Sequence, residues 1–234
     1  MIVFVVNRIK RWCTEILGLY RLQVLMILGV LGNAICVFPA AGVAQTSALP
    51  VYPWPNGRAI TVSFAPDLVE IGRYRNELFM HMKDQMSHPD WQIEILRAMQ
   101  TWARYANLQL AVKSDSPRAF GVPGLTQGDP RFGDIRLGAF PQQNVLGNVV
   151  AYNPNAGSWA GDIFFNTNCE YYIHDFSSGG SSPNGFYDLY SVALHEVGNS
   201  LGLLDQYRDA SSVMFFAYTV PRTGLSADDI SNIQ

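Results

Sequence analysis

The chain is poor in cysteine, poor in charge and free of internal repetition. Three cysteines occur in 234 residues, and two of them, Cys13 and Cys36, lie in the first 44. Beyond that segment only Cys169 remains, so no intramolecular disulfide can brace the rest. Charged residues make up 15% of the chain. No period of roughly 20–50 residues recurs, which excludes solenoids and propellers. A basic stripe is also missing. The first 44 residues carry four of the 16 Lys/Arg and one of the 19 Asp/Glu, leaving 12 against 18 and a net charge of −6 for the remainder. An acidic domain of this kind is a poor partner for nucleic acid, and none is expected.

Hydrophobic residues make up 48% of the chain, enough for a packed core. The N-terminus has its own pattern. Arg8, Lys10, Arg11 and Arg21 precede the apolar run Leu22 to Phe38, followed by Pro39 and the small residues Ala40 to Ala44. Basic, apolar, small is the order of a secretory signal peptide, here residues 1–44 with cleavage after Ala44. The apolar run nearly reaches the length of a short spanning helix, so an uncleaved membrane anchor is the alternative. The expected location is outside the cell or in its envelope. Residues 45–57 hold Pro50, Pro53 and Pro55 and read as a flexible entry segment.

From residue 58 onward the punctuation predicts an α+β domain. Arg58 to Ala65 alternates and is β-branched, a strand. Leu68 to Pro89 is ambiguous between a short helix and a loop. Asp90 opens a helix to about Ala106, with Ile95, Met99, Trp102 and Tyr105 at three- and four-residue steps. Strands follow at Leu108–Val112, Asp134–Phe140, Val145–Tyr152 and Asp162–Phe165, then a loop over Asn166–Gly185. Asp188 caps a helix that Gly202 ends, and Ser226-Ala227-Asp228-Asp229 starts another. The order fits a twisted, mostly parallel sheet backed by two helices. The chain ends inside that last helical pattern, as a fragment would.

The stretch that carries chemistry is His195-Glu196-Val197-Gly198-Asn199. Positions four apart share a helix face, the spacing that aims two metal ligands at one ion. A Glu beside the first ligand is placed to act as base towards a metal-activated water. Here the second ligand position holds Asn199 rather than His. Gly202 permits a sharp turn that returns Asp205 as a third ligand. Ser212-Val213-Met214 and Tyr218 follow.

HEVGNSLGLLD followed by SVMFFAY resembles the matrixin branch of the metzincins, whose motif is HExxHxxGxxH with a Met-turn. The flanking segments ITVSF, TWARYANLQL, GDIRLGAF, YDLYSVA and LSADDISNIQ are similar to matrixin catalytic domains as well. The resemblance covers residues 58–234. It implies a zincin-like fold with an active-site helix, a Met-turn and a C-terminal helix, and a secreted metalloendopeptidase that cleaves protein or peptide substrates. Carried over, His195, Asn199 and Asp205 stand at the Zn2+ ligand positions and Glu196 is the general base. Met214 lies beneath the metal, Tyr218 supports the site or the oxyanion, and Phe215 to Thr223 line the substrate side pocket.

The departures are as informative as the matches. An amide oxygen is a weak zinc donor beside an imidazole. Losing an outer-shell partner costs about 10–100-fold in affinity, so losing a ligand costs at least about 100-fold. Val150 to Asn153 and Phe164-Phe165 stand where animal members have histidines of a structural zinc site. Ca2+ is a candidate near Asp162, Asn166 and Glu170. No PRCGxPD-like inhibitory segment precedes the domain. His81, His88 and His174 read as exposed polar residues, with His174 a remote candidate for replacement ligand. Cys169 reads as a small buried hydrophobe, with its thiolate as the other candidate ligand. Three readings stay open: an endopeptidase weakened by Asn199, an inactive pseudo-protease that binds proteins, and an inert surface module.

Overall fold

The computed structural model describes residues 54–55, 59–86, 90–177, 183 and 185–234. The predicted signal peptide, most of the entry segment, His88 and most of the Ser/Gly-rich stretch before Gly185 lie outside the described residues.

Five strands form one sheet: β1 (Ala59–Phe64), β4 (Gln109–Val112), β5 (Ile135–Phe140), β6 (Gly147–Val149) and β7 (Ile163–Asn166), in the order β4-β1-β5-β7-β6. The first four run parallel, and β6 pairs antiparallel with β7 along its free edge. Ile60 pairs with Leu110 and Val62 with Ile135, so the β-branched residues of β1 face the core in register. Parallel neighbours need a crossover, and helix α2 (Asp90–Ala106) provides it between β1 and β4. Trp91, Ile95, Met99 and Trp102 of α2 are buried against Ile135, Leu137, Ile163 and Phe165 of the sheet and against α3 (Leu189–Ser200). Tyr105 does not continue that stripe; it is exposed at the end of α2.

The ambiguous stretch after β1 resolves into a two-residue hairpin, β2 (Glu70–Ile71) with β3 (Tyr74–Arg75), and the helix α1 (Leu78–Gln85). The expected loop after Asn166 contains β8 (Glu170–Tyr172), which pairs in parallel with β9 (Phe186–Asp188) just before α3. Such three-residue strands carry too little pattern to stand out in the sequence. The last helix, α4 (Ala227–Ile233), begins with a reciprocal capping box between Ser226 and Asp229.

One buried ion pair shapes the long connection from β4 to β5. Arg136 and Asp115 are both fully buried and bond through two nitrogens at 2.7 and 3.0 Å. The guanidinium is sandwiched between the rings of Phe120 and Phe132 and donates to the carbonyls of Arg118 and Ala119. Such a pair contributes little net stability over apolar residues, but breaking it strands a buried charge. Asp115→Ala should therefore cost about 3–5 kcal/mol, read by urea denaturation. A loss below about 1 kcal/mol would show that water reaches the guanidinium.

The three residues considered for calcium do not converge. Asp162 and Asn166 bracket β7, separated by about 13 Å of strand. Asp162 Oδ1 accepts from the Arg136 backbone N–H, while Asn166 uses its amide to hold Val145, Gln142 and Asn168. Glu170 is exposed. Asp162 Oδ2 has no hydrogen-bond partner, and burial pushes this carboxyl well above 3.8. A raised folded-state pKa stabilises fully below the unfolded value, and that contribution is lost as pH rises through the folded value. Asp162→Asn should thus be more stable than the parent by a margin that grows from about pH 4 to pH 7 in thermal melts. A margin constant with pH would show that Asp162 does not carry this slope.

Candidate metal centre and cleft

Every residue of α3 except Asn199 is buried. The helix is held at both ends and in the middle. At its start the Asp188 carboxylate accepts from the Ser191 N–H and hydroxyl and from the His174 N–H, while the Asp188 N–H donates to the Tyr218 hydroxyl. Midway, the Trp102 indole donates to the Leu194 carbonyl at 2.7 Å. At its end the Trp54 indole donates to the Ser200 carbonyl at 3.1 Å and stacks near Tyr152. The entry segment, expected to be flexible, therefore has a buried anchor in Trp54 on the last turn of this helix.

The chain leaves α3 through Gly202 at φ +105°, a conformation that glycine adopts without steric cost. It returns so that the Gln206 N–H donates to the Met214 carbonyl and the Phe216 N–H to the Gln206 carbonyl. That pairing sets Asp205 beside the helix face that carries His195 and Asn199. His195 Nδ1 lies 2.9 Å from the Val213 carbonyl, which fixes the proton on Nδ1 in the neutral ring and leaves Nε2 facing inward. His195 Nε2, Asn199 Nδ2 and Asp205 Oδ1 are each 3.2 Å from the other two. Burial opposes charge on the imidazole, but the Asp205 hydrogen bond and the Glu196 and Asp205 charges together raise its pKa.

Glu196 is fully buried, and neither carboxylate oxygen has a hydrogen-bond partner among the described residues. Burial pushes its pKa up to about 7, with the neighbouring His195 lowering it and Asp205 raising it. Its carboxylate lies against Gly147 on the free-edge strand β6; a Cβ there would stand 2.6 Å from Oε1. Gly147 was not legible as a site residue, since only the fold brings it to Glu196.

Met214 is buried under α3, its sulfur so close to Gly198 that a Cβ there would meet it at 2.4 Å and Trp102 at 2.9 Å. The Met214 turn is fixed by Asp229 of α4, whose carboxylate accepts from the Ser212 hydroxyl and the Val213 N–H. In the sequence Asp229 carries only a helix-start signal. The Tyr218 hydroxyl accepts from the Asp188 N–H at the start of α3, and burial drives its pKa upward.

Beyond Met214, a cavity of about 10 Å³, room for one water, is lined by Ser191, Val213, Ala217, Tyr218, Thr219, Val220 and Arg222. Phe215 and Phe216 are not part of it. Phe216 stacks on Tyr207 and Phe215 packs on Phe216. His81 and His174 are half-buried and bonded rather than simply exposed. His81 is half-buried, with Nε2 3.0 Å from the Cys169 carbonyl and its pKa lowered by burial. His174 Nδ1 bonds the Tyr172 hydroxyl, and the buried Cys169 thiol lies against the Val145 carbonyl.

The sequence profile of the matrixin family matches residues 77–234, a span that includes α3, the Gly202 turn, the Met214 turn and α4. The chain belongs to the matrixin family. No curated protein matches it. Matrixins are zinc-dependent metalloendopeptidases, so the donor set here has to be weighed against zinc. Ligands of one tetrahedral zinc, about 2.0–2.1 Å from the ion, stand about 3.3 Å apart. His195 Nε2 and Asp205 Oδ1 meet that spacing, and the Val213 carbonyl supplies the outer partner that a ligating imidazole uses. The third vertex meets the spacing with the wrong atom: an amide nitrogen is no ligand, and Asn199 has to turn its carbonyl inward. The unpartnered Glu196 carboxylate is what a site built around a water or ion leaves behind. The residues thus fit zinc with two firm donors and one conditional donor.

Gly198→Ala tests the packing under the site. Helix propensity alone favours alanine by up to about 1 kcal/mol. Overpacking against Met214 and Trp102 should outweigh this and give a net loss of about 1–2 kcal/mol in urea denaturation. A gain would show that the turn retreats freely.

Proposed function

We propose that this chain is a secreted matrixin-type endopeptidase domain that hydrolyses protein or peptide substrates and holds its zinc weakly because of Asn199. The observation that carries the reading is Glu196: a carboxylate buried without a partner, beside His195 and against the free-edge strand. Burial of an unpaired carboxylate is costly, and no hydrogen bond among the described residues offsets it. A pKa of about 7 is suited to taking and giving a proton near neutral pH.

In this reading His195 and Asp205 hold the ion, and Asn199 joins them through its carbonyl. When bound, zinc supplies an acidic water and polarises the scissile carbonyl. Glu196 would take a proton from the attacking water as its oxygen bonds to the scissile carbonyl carbon, and would return that proton to the amine nitrogen as the C–N bond breaks. The open edge of β6 aligns the substrate by strand addition. Gly147 keeps that edge close to Glu196. The side cavity accepts little more than a small side chain unless Arg222 or Tyr218 moves. Residues 1–44 direct export; a membrane attachment follows only if that segment is retained.

A specific observation favours a second reading, a non-catalytic pseudo-protease that binds proteins: the Asn199 nitrogen, rather than its oxygen, faces His195 and Asp205. Peptide cleavage by the purified chain with zinc separates the two. The endopeptidase reading expects slow cleavage, abolished in Glu196→Gln by about 10²–10⁴-fold, and strengthened in Asn199→His. Zinc affinity should rise at least about 100-fold in Asn199→His. Cleavage by Asn199→His with none by the parent makes the parent a pseudo-enzyme. No cleavage by zinc-loaded Asn199→His sinks the peptidase reading of the site.

A further inference from the structure

The last four carbonyls of a helix have no partner inside it. At the end of α3 the chain that follows serves three of them. The Val197 carbonyl accepts from the Leu201 N–H, that of Gly198 from Leu203 and that of Asn199 from Gly202. The Ser200 carbonyl takes its hydrogen bond from 146 residues away, from the Trp54 indole. The Ser200 side chain is held from another segment again: its hydroxyl donates to the Gly161 carbonyl at 2.7 Å. Gly161 also makes room for the indole. It stands at φ +81°, and a Cβ there would lie 2.4 Å from Trp54 Cζ2 and 3.3 Å from Ser200 Oγ. The Tyr152 ring packs on the indole as well, 4.5 Å away between centroids. The Gly161 N–H donates to the Val150 carbonyl directly after β6, so the same clasp joins the end of α3 to the free-edge strand.

The peptide bond is planar, so holding the Ser200 carbonyl fixes the plane that leads into Leu201. That plane sets the direction in which the chain leaves α3. Asn199 lies one residue before it, and the Gly202 turn that returns Asp205 comes directly after Leu201. We propose that Trp54 is a positioning residue for the candidate metal centre: a side chain from before the family-matched span 77–234 sets the last turn of α3 and, through the Gly202 turn, the places of Asn199 and Asp205. Trp54 acts through the Ser200 peptide. This role rests on the peptidase reading only for the identity of the ion.

The test is amide hydrogen exchange of the full chain in chelator, with the parent beside Trp54→Phe and Trp54→Ala, read by mass spectrometry of fragments. Trp54→Phe keeps a ring in the slot and removes the N–H, leaving the Ser200 carbonyl unserved. Fragments spanning residues 199–206 should exchange about tenfold faster, the effect of one buried acceptor losing its donor. Fragments of α2 and β5 should exchange as in the parent. Trp54→Ala should show the same local pattern with a larger increase. Zinc affinity, read by competition with a chromophoric chelator, should fall about tenfold in Trp54→Phe, the low end for a residue that holds a ligand in place. Exchange over 199–206 that matches the parent, or that rises by the same factor throughout the chain, overturns the proposal. So does faster local exchange with zinc affinity unchanged. A parent that binds no zinc sinks the peptidase reading instead, and the exchange pattern still decides on Trp54.

Discussion

The burial of α3 on nearly every side is the constraint from which the site follows. A helix so enclosed cannot leave polar groups to water, so each one needs a partner inside the protein. Ser191 bonds Asp188, Ser200 bonds the Gly161 carbonyl, and His195 bonds the Val213 carbonyl. Those partners come from distant segments, so satisfying the helix also positions the loops around it. Glu196 is the exception, enclosed like its neighbours and left with no partner. A fold that satisfies its other helix hydroxyls and imidazole but not this carboxylate keeps it for a task other than packing.

Close approach depends on two glycines. Gly198 lets Met214 and Trp102 reach the helix backbone from different elements, and Gly147 lets the edge strand reach Glu196. Each contact is tighter than any side chain allows. The Asp229 carboxylate holds the Met214 turn by its backbone and by Ser212, so the elements below and beside α3 are fixed to it by contacts and hydrogen bonds. Elsewhere aromatic packing and amide hydrogen bonds hold the neighbouring loops. Phe164 and Phe165 lie among Phe120, Phe140, Trp159 and Tyr171, and the Asn166 amide bonds three residues of the neighbouring loops.

Much of this was legible because local signals coincided with the fold. The alternation of β1, the Asp188 cap, Gly202 and the Ser226 capping box are short-range patterns whose physics is the same in the sequence and in the folded chain. His195, Asn199 and Asp205 were legible as a group because helical spacing and one glycine turn determine where they point. The contributions of Gly147, Trp54 and Asp229 were not, because each acts across a long sequence separation and has no local signature. Phe215 and Phe216 stay out of the side cavity for a related reason. Sequence proximity to Met214 suggested the side pocket, whereas packing of Phe216 on Tyr207 and of Phe215 on Phe216 decides where these rings go.

Position 199 is where the chemistry of the family and of this chain diverge. Two neutral imidazoles and a carboxylate present three acceptors to one another, an arrangement that demands a cation. Exchanging one imidazole for an amide changes more than a ligand's strength, because it adds donors where there were none. The amide nitrogen stands 3.2 Å from both His195 Nε2 and Asp205 Oδ1, and it is no zinc ligand until the amide turns its oxygen inward. Asn199 is also the one residue of α3 that is not fully buried, so its amide is the group on that helix with room to turn. The substitution and the partial exposure act together. A half-buried amide has more room to turn its oxygen inward than a buried one, and the Glu196 carboxylate stays beside the site with no hydrogen-bond partner among the described residues.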